Sequence, residues 1–351
     1  MNKGMLLFIG NFLPTPRYNK NVWHFLTERL ASAGWSVITT SSNERQLPRL
    51  AEMLRTIWQK RHLYQAAHID VFSGKAFIYA YLSTQLLRIL KKTIVITLHG
   101  GGLVEFATKH PNSFRLVITN ADAVVTPSAY LQEAFTEIRS DIRLIPNPID
   151  LSESLYRERT SATPRLIWVR AFHSVYNPCM AVRVLTLLSK EYPDINLLMV
   201  GPDKGDGSLE QSLKLAGQLG IRSNIEIAGH IAHSDIPHWL DKADIFINTS
   251  NYDTAPRSLL EAMANGLCVI STNVGGIPLL ASDGVETLLV NPNDTESMAE
   301  KIGQILKEPD LAVQLSQNAR IRAEKSDWAE ILPKWDALFS ELTNTNSQLK
   351  E

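Results

Sequence analysis

A chain of 351 residues has room for two domains with full cores, and 44% apolar with 20% charged residues is ordinary for a water-soluble globular protein. A net charge of −1 gives no general pull towards nucleic acid, and two cysteines, Cys179 and Cys268, make no disulfide framework and fit a reducing cytoplasm. The first apolar run, Met5-Leu6-Leu7-Phe8-Ile9, predicts a strand and is too short for a signal peptide or a membrane span.

Strand-like runs are predicted at 5–10, 36–40, 69–72, 94–98, 123–126 and 142–145, and again at 165–169, 195–200, 224–228, 244–247, 267–271 and 287–290. Helical stretches alternate with them, the pattern of parallel α/β architecture. Six and six predict two similar sheets, hence two doubly wound Rossmann-like domains facing each other across a cleft. The expected boundaries are 1–146, a linker at 147–163 carrying Pro146-Asn147-Pro148 and a polar run, a second domain at 164–326, and a final segment at 327–351. Trp328, Trp335 and Leu338 put an apolar stripe on that segment, a helix to about residue 342 returning to the first domain before a frayed polar tail. In such a fold ligands bind outside the carboxyl ends of the strands, so the loops that follow strands are where chemistry is expected.

In chain order, residues 50–61 combine an apolar stripe with Arg55, Trp58, Lys60 and Arg61. They read either as a helix packed on its own sheet or as a membrane-surface segment. His99-Gly100-Gly101-Gly102 follows the fourth strand, where glycines let a ligand approach the backbone and the histidine can donate to a phosphate or hydroxyl; a plain flexible loop is the other reading. Ser128 follows the fifth strand in the same position. Arg170 ends the seventh strand, where a cation needs either an anionic ligand or an internal carboxylate; the anionic ligand is the expected partner. Tyr176-Asn177-Pro178 lies just beyond. The stretch from Gly201 to Ser208 predicts a mobile polar loop carrying Lys204, without the ending of a P-loop, and Gly229-His230-Ile231 offers backbone groups to a flat base.

The most concentrated stretch is 251–280. Asp253, Thr254 and Pro256 predict the start of a helix with Asp253 as its cap. Glu261 stands eight positions after Asp253, with Arg257 and Ser258 on its side of the helix. A buried strand follows, and then Gly275-Gly276 at a strand-to-helix turn, whose amides suit a phosphate. There is no Asp-x-Asp for a magnesium diphosphate, no zinc spacing and no Gly-x-Ser-x-Gly elbow. Pro14-Thr15-Pro16-Arg17-Tyr18 stands where a dinucleotide enzyme has its glycine loop.

These residues resemble the family 4 glycosyltransferases of the GT-B fold class, over nearly the whole chain. The resemblance rests on Glu261-Ala262-Met263-Ala264 with Gly266, Val274-Gly275-Gly276-Ile277-Pro278, Arg170 after the strand and Ile145-Pro146-Asn147 before the linker. It implies a retaining, metal-independent transfer of a sugar from a nucleoside diphosphate sugar to a saccharide or lipid-linked hydroxyl, in polysaccharide or glycoconjugate synthesis, with no resident cofactor. It further implies that Glu261 holds the donor ribose, Asp253 faces the donor sugar, the Gly275-Gly276 amides and Arg170 meet the diphosphate, and His99 stands near the reacting sugar. Ser258, Asn177, Lys204 and His230 complete the donor side, with Gly100, Gly101 and Ser128 on the acceptor side. The family's lysine five residues after the arginine is absent here: Val175 occupies the place, and Arg257 or Lys204 is expected to supply the charge. An epimerase or phosphorylase of the same fold, or a nucleotide-sugar-binding protein without turnover, is the alternative. The expected location is the cytoplasm, at the inner face of a membrane if 50–61 lies on lipid.

Overall fold

The computed structural model describes residues 3–13 and 22–348, with side chains as far as 344; Pro14-Thr15-Pro16-Arg17-Tyr18 lies outside the described residues. The chain divides into two compact units, one made of 1–147 and 329–351 and the other of 148–328.

The first unit carries β1 (Gly4–Ile9), α1 (Val22–Ser32), β2 (Trp35–Thr40), α2 (Gln46–Gln59), β3 (Ala66–Val71), α3 (Phe77–Ile89), β4 (Thr93–Leu98), α4 (Leu103–Lys109), α5 (Pro111–Asn120), β5 (Ala123–Thr126), α6 (Ala129–Phe135) and β6 (Arg143–Leu144). The second carries β7 (Arg165–Val169), α7 (Pro178–Leu188), β8 (Asn196–Val200), α8 (Ser208–Gln218), β9 (Ile225–Gly229), α9 (Ile236–Asp241), β10 (Ile245–Asn248), α10 (Arg257–Ala264), β11 (Cys268–Thr272), α11 (Ile277–Leu280), β12 (Leu288–Val290), α12 (Thr295–Lys307) and α13 (Pro309–Glu324). A last helix, α14 (Trp328–Gln348), follows.

All strand pairs are parallel, in two six-stranded sheets ordered β2-β1-β3-β4-β5-β6 and β12-β11-β10-β7-β8-β9. The strand order reverses between β1 and β3 in the first sheet and between β7 and β10 in the second. In an open parallel sheet that reversal opens a crevice at the carboxyl ends of the two strands. Both faces of each sheet are covered, so central strands such as Thr93–Leu98 and Cys268–Thr272 are buried at every position. The third strand starts three residues before the expected 69, because Ala66, Ala67 and His68 carry little β-propensity of their own and are drawn into the sheet by burial.

Helix α14 runs past the expected end near 342. It packs aromatics on the first unit's α1 and β1: Trp335 meets Trp23 edge-on at 5.8 Å, and Phe339 meets Phe8 at 5.8 Å. Asp336 accepts from Lys3 Nζ at 2.7 Å and from Trp35 Nε1 at 2.8 Å. No helix among the described residues is long and apolar enough to cross a membrane.

The expected linker, 147–163, is not a free connection, since 148–163 belongs to the second unit. Arg159 is fully buried within it and donates to the carbonyls of Asn265 and of Ala243, the latter at 2.8 Å. Asp244 gathers Arg157 at 2.8 Å, Arg165 at 3.1 Å and the hydroxyl of Thr163. Burial opposes ionisation of Asp244, but these partners hold its carboxyl down at about 2. A polar run that looks solvated in sequence is a strap fastened by buried charge.

Candidate functional site

In the second unit the site grows from the reversal between β7 and β10. Arg170 follows β7, and its Nη2 donates to Asp253 Oδ2 at 2.6 Å, with the side chains 13% and 14% exposed. Arg170 therefore already has an internal carboxylate, the alternative to the anionic ligand expected as its partner. The pairing leaves donors over: Arg170 Nε is buried with no hydrogen-bond partner, and the guanidinium stands 5.2 Å from the ring centre of Tyr176. A buried N–H without an acceptor costs about 1–3 kcal/mol unless something fills it.

Asp253 does not cap the helix. Pro256 occupies the cap position without a side-chain bond and α10 starts at Arg257, because the Asp253 carboxylate turns to Arg170. Its carbonyl faces the other way and accepts from Gly276 N at 2.9 Å. Gly275, at φ +54°, comes so close that a Cβ there would stand 2.0 Å from that carbonyl oxygen. The glycine pair thus holds the β11–α11 turn against Asp253. One consequence corrects the expected amide pair: the Gly276 N–H is occupied, which leaves that of Gly275 to meet a ligand.

On α10, Glu261 lies one turn after Arg257 with Oε1 2.9 Å from Arg257 Nε, close enough for an ion pair although not aligned as a hydrogen bond. Its second partner is His233 Nε2 at 2.8 Å. Burial works against the charged form of Glu261, yet Arg257, the His233 hydrogen bond and the charge of Arg170 keep its carboxyl below the ordinary range. Beside it a hollow of about 20 Å³ opens among Asp150, His233, Arg257 and Asn265, room for a single water or hydroxyl. Ser258 is buried at the start of the helix with its hydroxyl unpaired.

The remaining donor-side candidates divide. Asn177, left-handed at φ 47°, is spent on Asn293 Oδ1 at 2.8 Å and marks the start of α7. His230 is exposed and its Nδ1 sits 3.0 Å from the Ile231 carbonyl. Lys204 is exposed, and among the described residues its ammonium meets no carboxylate. The loop that carries it is pinned rather than mobile: Asp206 accepts from Ser174 N at 2.7 Å and Ser208 N at 3.1 Å. A Cβ on Gly201 would stand 1.8 Å from the Arg170 carbonyl oxygen, so the loop's first residue must be glycine.

In the first unit His99 follows β4 and its Nε2 lies 3.2 Å from Asp70 Oδ1. Phe72 stacks on the His99 ring at 5.0 Å. Burial pushes the Asp70 carboxyl up, with His99 pulling the other way. Gly10 faces Asp70, where a Cβ would stand 2.7 Å from Oδ2. At this reversal of the first sheet lies a cavity of about 190 Å³ lined by Gly10, Asn11, Arg49, Asp70, Phe72 and Tyr79. Gly100 is left-handed at φ +82° with open space where a side chain would go, and Gly101 adjoins it. Ser128 is buried at the start of α6, its amide bonded to Thr126 Oγ1 at 3.2 Å.

Residues 158–322 match the family described as Glycosyl transferases group 1, and residues 16–153 match Glycosyltransferase Family 4. The chain belongs to the family 4-type glycosyltransferases. A glycosyltransferase of Methanocaldococcus jannaschii is 23% identical over 288 residues, 81% of this chain and 79% of that protein. The D-inositol 3-phosphate glycosyltransferase of Streptomyces scabiei is 27% identical over 157 residues, 43% of this chain but 35% of its own length. Among solved structures, sucrose-phosphate synthase of Thermosynechococcus elongatus superposes with a TM-score of 0.76 at 20% identity, covering 97% of this chain and 100% of that one. The Anabaena protein HepE, solved with UDP-glucose, gives 0.78 at 16% identity, covering 96% and 100%. These likenesses establish the GT-B fold, and the family matches establish a sugar-transferring enzyme.

Within this glycosyltransferase, two site residues escaped the sequence reading. Asp70 sits inside an apolar strand, where a lone carboxylate was a usable signal; His233 lies on a loop 28 residues before Glu261, and nothing in the spacing ties it to Glu261.

Proposed function

We infer that the enzyme transfers a sugar from a nucleoside diphosphate sugar to a hydroxyl of a saccharide or lipid-linked glycan, with retention of anomeric configuration. The observation that carries this is Arg170: a guanidinium at the reversal of the second sheet, anchored by Asp253 and left with a buried, unfilled donor. As the bond to the leaving diphosphate breaks, negative charge grows on its oxygens, and preorganised donors aimed at that charge lower the barrier. Arg170 supplies them, with the Gly275 amide, the start of α10 and the charge of Arg257 nearby in the same unit. Glu261, held ionised, accepts from the ribose hydroxyls. His99, oriented by Asp70, serves the acceptor side.

Retention is supported by the state of the carboxylates. Asp253 is tied to Arg170, and Glu261 to Arg257 and His233, so neither is poised as the nucleophile of a double displacement. Because guanidinium groups neutralise the leaving group in this reading, transfer proceeds without a metal. UDP- or UDP-glucose-bound relatives of the same fold favour a uridine donor.

The test is a thermal-shift series with UDP-, GDP- and ADP-sugars, followed by transfer to a panel of glycan acceptors with and without a chelator. One donor class should raise the melting temperature, lose that effect in Glu261→Ala, and support chelator-resistant transfer. No shift with any nucleotide sugar overturns the assignment of the donor. Binding without release on every acceptor instead supports a non-catalytic protein, the reading favoured by Val175 in place of the family's lysine.

A further inference from the structure

Helices α2 and α3 pack side by side in the first unit, Met53 and Ile57 of one and Ala80 and Leu87 of the other buried in the core. Their outward sides are not the polar faces that solvent calls for. Leu47 is 80% exposed, Trp58 51% and Ile89 75%, and Leu63 and Ile78 join them. This differs from the single-helix stripe expected at 50–61, whose Met53 and Ile57 face the sheet.

Charge on this face is equally one-sided. Between Leu47 and Val104 there are eight lysines and arginines against two carboxylates, Glu52 on α2 and Asp70, in a chain whose net charge is −1. Asp70 is itself occupied with His99, and Glu52 accepts from the Ser41 hydroxyl at 2.5 Å. Among the described residues Arg55, Lys60, Arg61, Arg88 and Lys91 make no ion pair, although Arg61 lies over the Trp58 ring at 4.5 Å. Folded surfaces ordinarily intersperse both signs and avoid large exposed apolar side chains.

We propose that the outer face of α2 and α3, with the turns that end them, docks on an anionic phospholipid surface. Leucine, isoleucine and tryptophan side chains enter the interface while the unpaired cations meet lipid phosphates. Charge complementarity selects this occupant, since a soluble polyanion would use the cations and leave Leu47 and Ile89 without a role. Arg49 and Tyr79, near the starts of the same two helices, also line the cavity beside Asp70. The lipid face and the cavity therefore share helices, and a membrane-borne acceptor head group is the substrate class this arrangement fits. That last step rests on the proposed sugar transfer; docking itself does not.

The experiment is co-sedimentation of the full chain with phosphatidylcholine vesicles, with and without phosphatidylglycerol, at low and high salt. The wild type should partition onto the anionic vesicles and be released by salt. Lys60→Glu/Arg61→Glu/Lys91→Glu should weaken partitioning roughly a hundredfold, and Trp58→Ser/Ile89→Ser should weaken it at constant charge. Both variants should keep the nucleotide-sugar thermal shift, which shows that they fold and separates this result from failure of the donor assignment. Absent or lipid-independent partitioning, or an unaffected charge-reversed variant, overturns the proposal. Binding to heparin without binding to vesicles assigns the face to a soluble polyanion and overturns it as well.

Discussion

The pairing of Arg170 with Asp253 makes a sharp prediction because its structural and catalytic roles separate. Arg170→Ala removes the one charged donor 2.6 Å from a carboxylate that is 14% exposed. Stranding a buried charge costs about 3–5 kcal/mol. Some solvent reaches this carboxylate, so the expected loss of unfolding free energy is smaller, roughly 1–3 kcal/mol. The loss in transfer rate should be about 10²–10³-fold, the usual effect of deleting a donor aimed at developing charge. Arg170→Ala/Asp253→Asn removes both charges, so it should regain most of the stability and none of the rate. Urea unfolding of the second unit and nucleoside diphosphate release measure the two effects independently. Transfer at the wild-type rate in Arg170→Ala would refute the assignment, and so would recovery of transfer in the double variant.

Two further outcomes follow from the same geometry. Gly275→Ala combines a left-handed backbone with a Cβ 2.0 Å from the Asp253 carbonyl oxygen, so it should cost about 2–4 kcal/mol and abolish the donor-induced thermal shift. Parental urea and thermal-shift curves for this variant would show that the turn is not held as described. His68 is buried with Nε2 2.7 Å from Thr97 Oγ1, and burial first, then the charge of His99, holds its pKa well below the ordinary 6.5. The unfolded chain takes up this proton below about pH 6.5 while the folded one does not. The contribution of His68 is therefore complete above that pH and lost as the pH falls towards the folded value. His68→Leu should flatten the dependence of first-unit stability between about pH 6.5 and 5, read as the change in slope from urea midpoints.

The sequence located the strands closely because buried parallel strands are apolar at every position and are punctuated by polar loops. Cys268–Thr272 and Thr93–Leu98 are of this kind, while Ala66-Ala67-His68 was missed because small residues carry no such signature. Arg257 and Glu261 were legible as partners, since helical periodicity alone brings positions four apart together. The partner of Arg170 and the second partner of Glu261 were not. Asp253 is 83 residues from Arg170 and His233 is 28 from Glu261, and only the order of the strands makes them neighbours. The strap was misread for a related reason: Arg159 looks solvated until Asp244 and the carbonyls around it are in view.

The ends of the second unit are joined to each other. Ile149 N donates to the Ser326 carbonyl at 2.9 Å, Trp328 N donates to the Ile149 carbonyl at 3.2 Å, and Leu151 N donates to Asp327 Oδ1 at 3.0 Å. In genetic terms, residues 148–328 are a cassette inserted into the discontinuous unit formed by 1–147 and 329–351. Chain termini that lie together are what make domain insertion and circular permutation tolerable. The second unit can therefore be exchanged as a module at two neighbouring cut points, with the first unit and its aromatic final helix left whole.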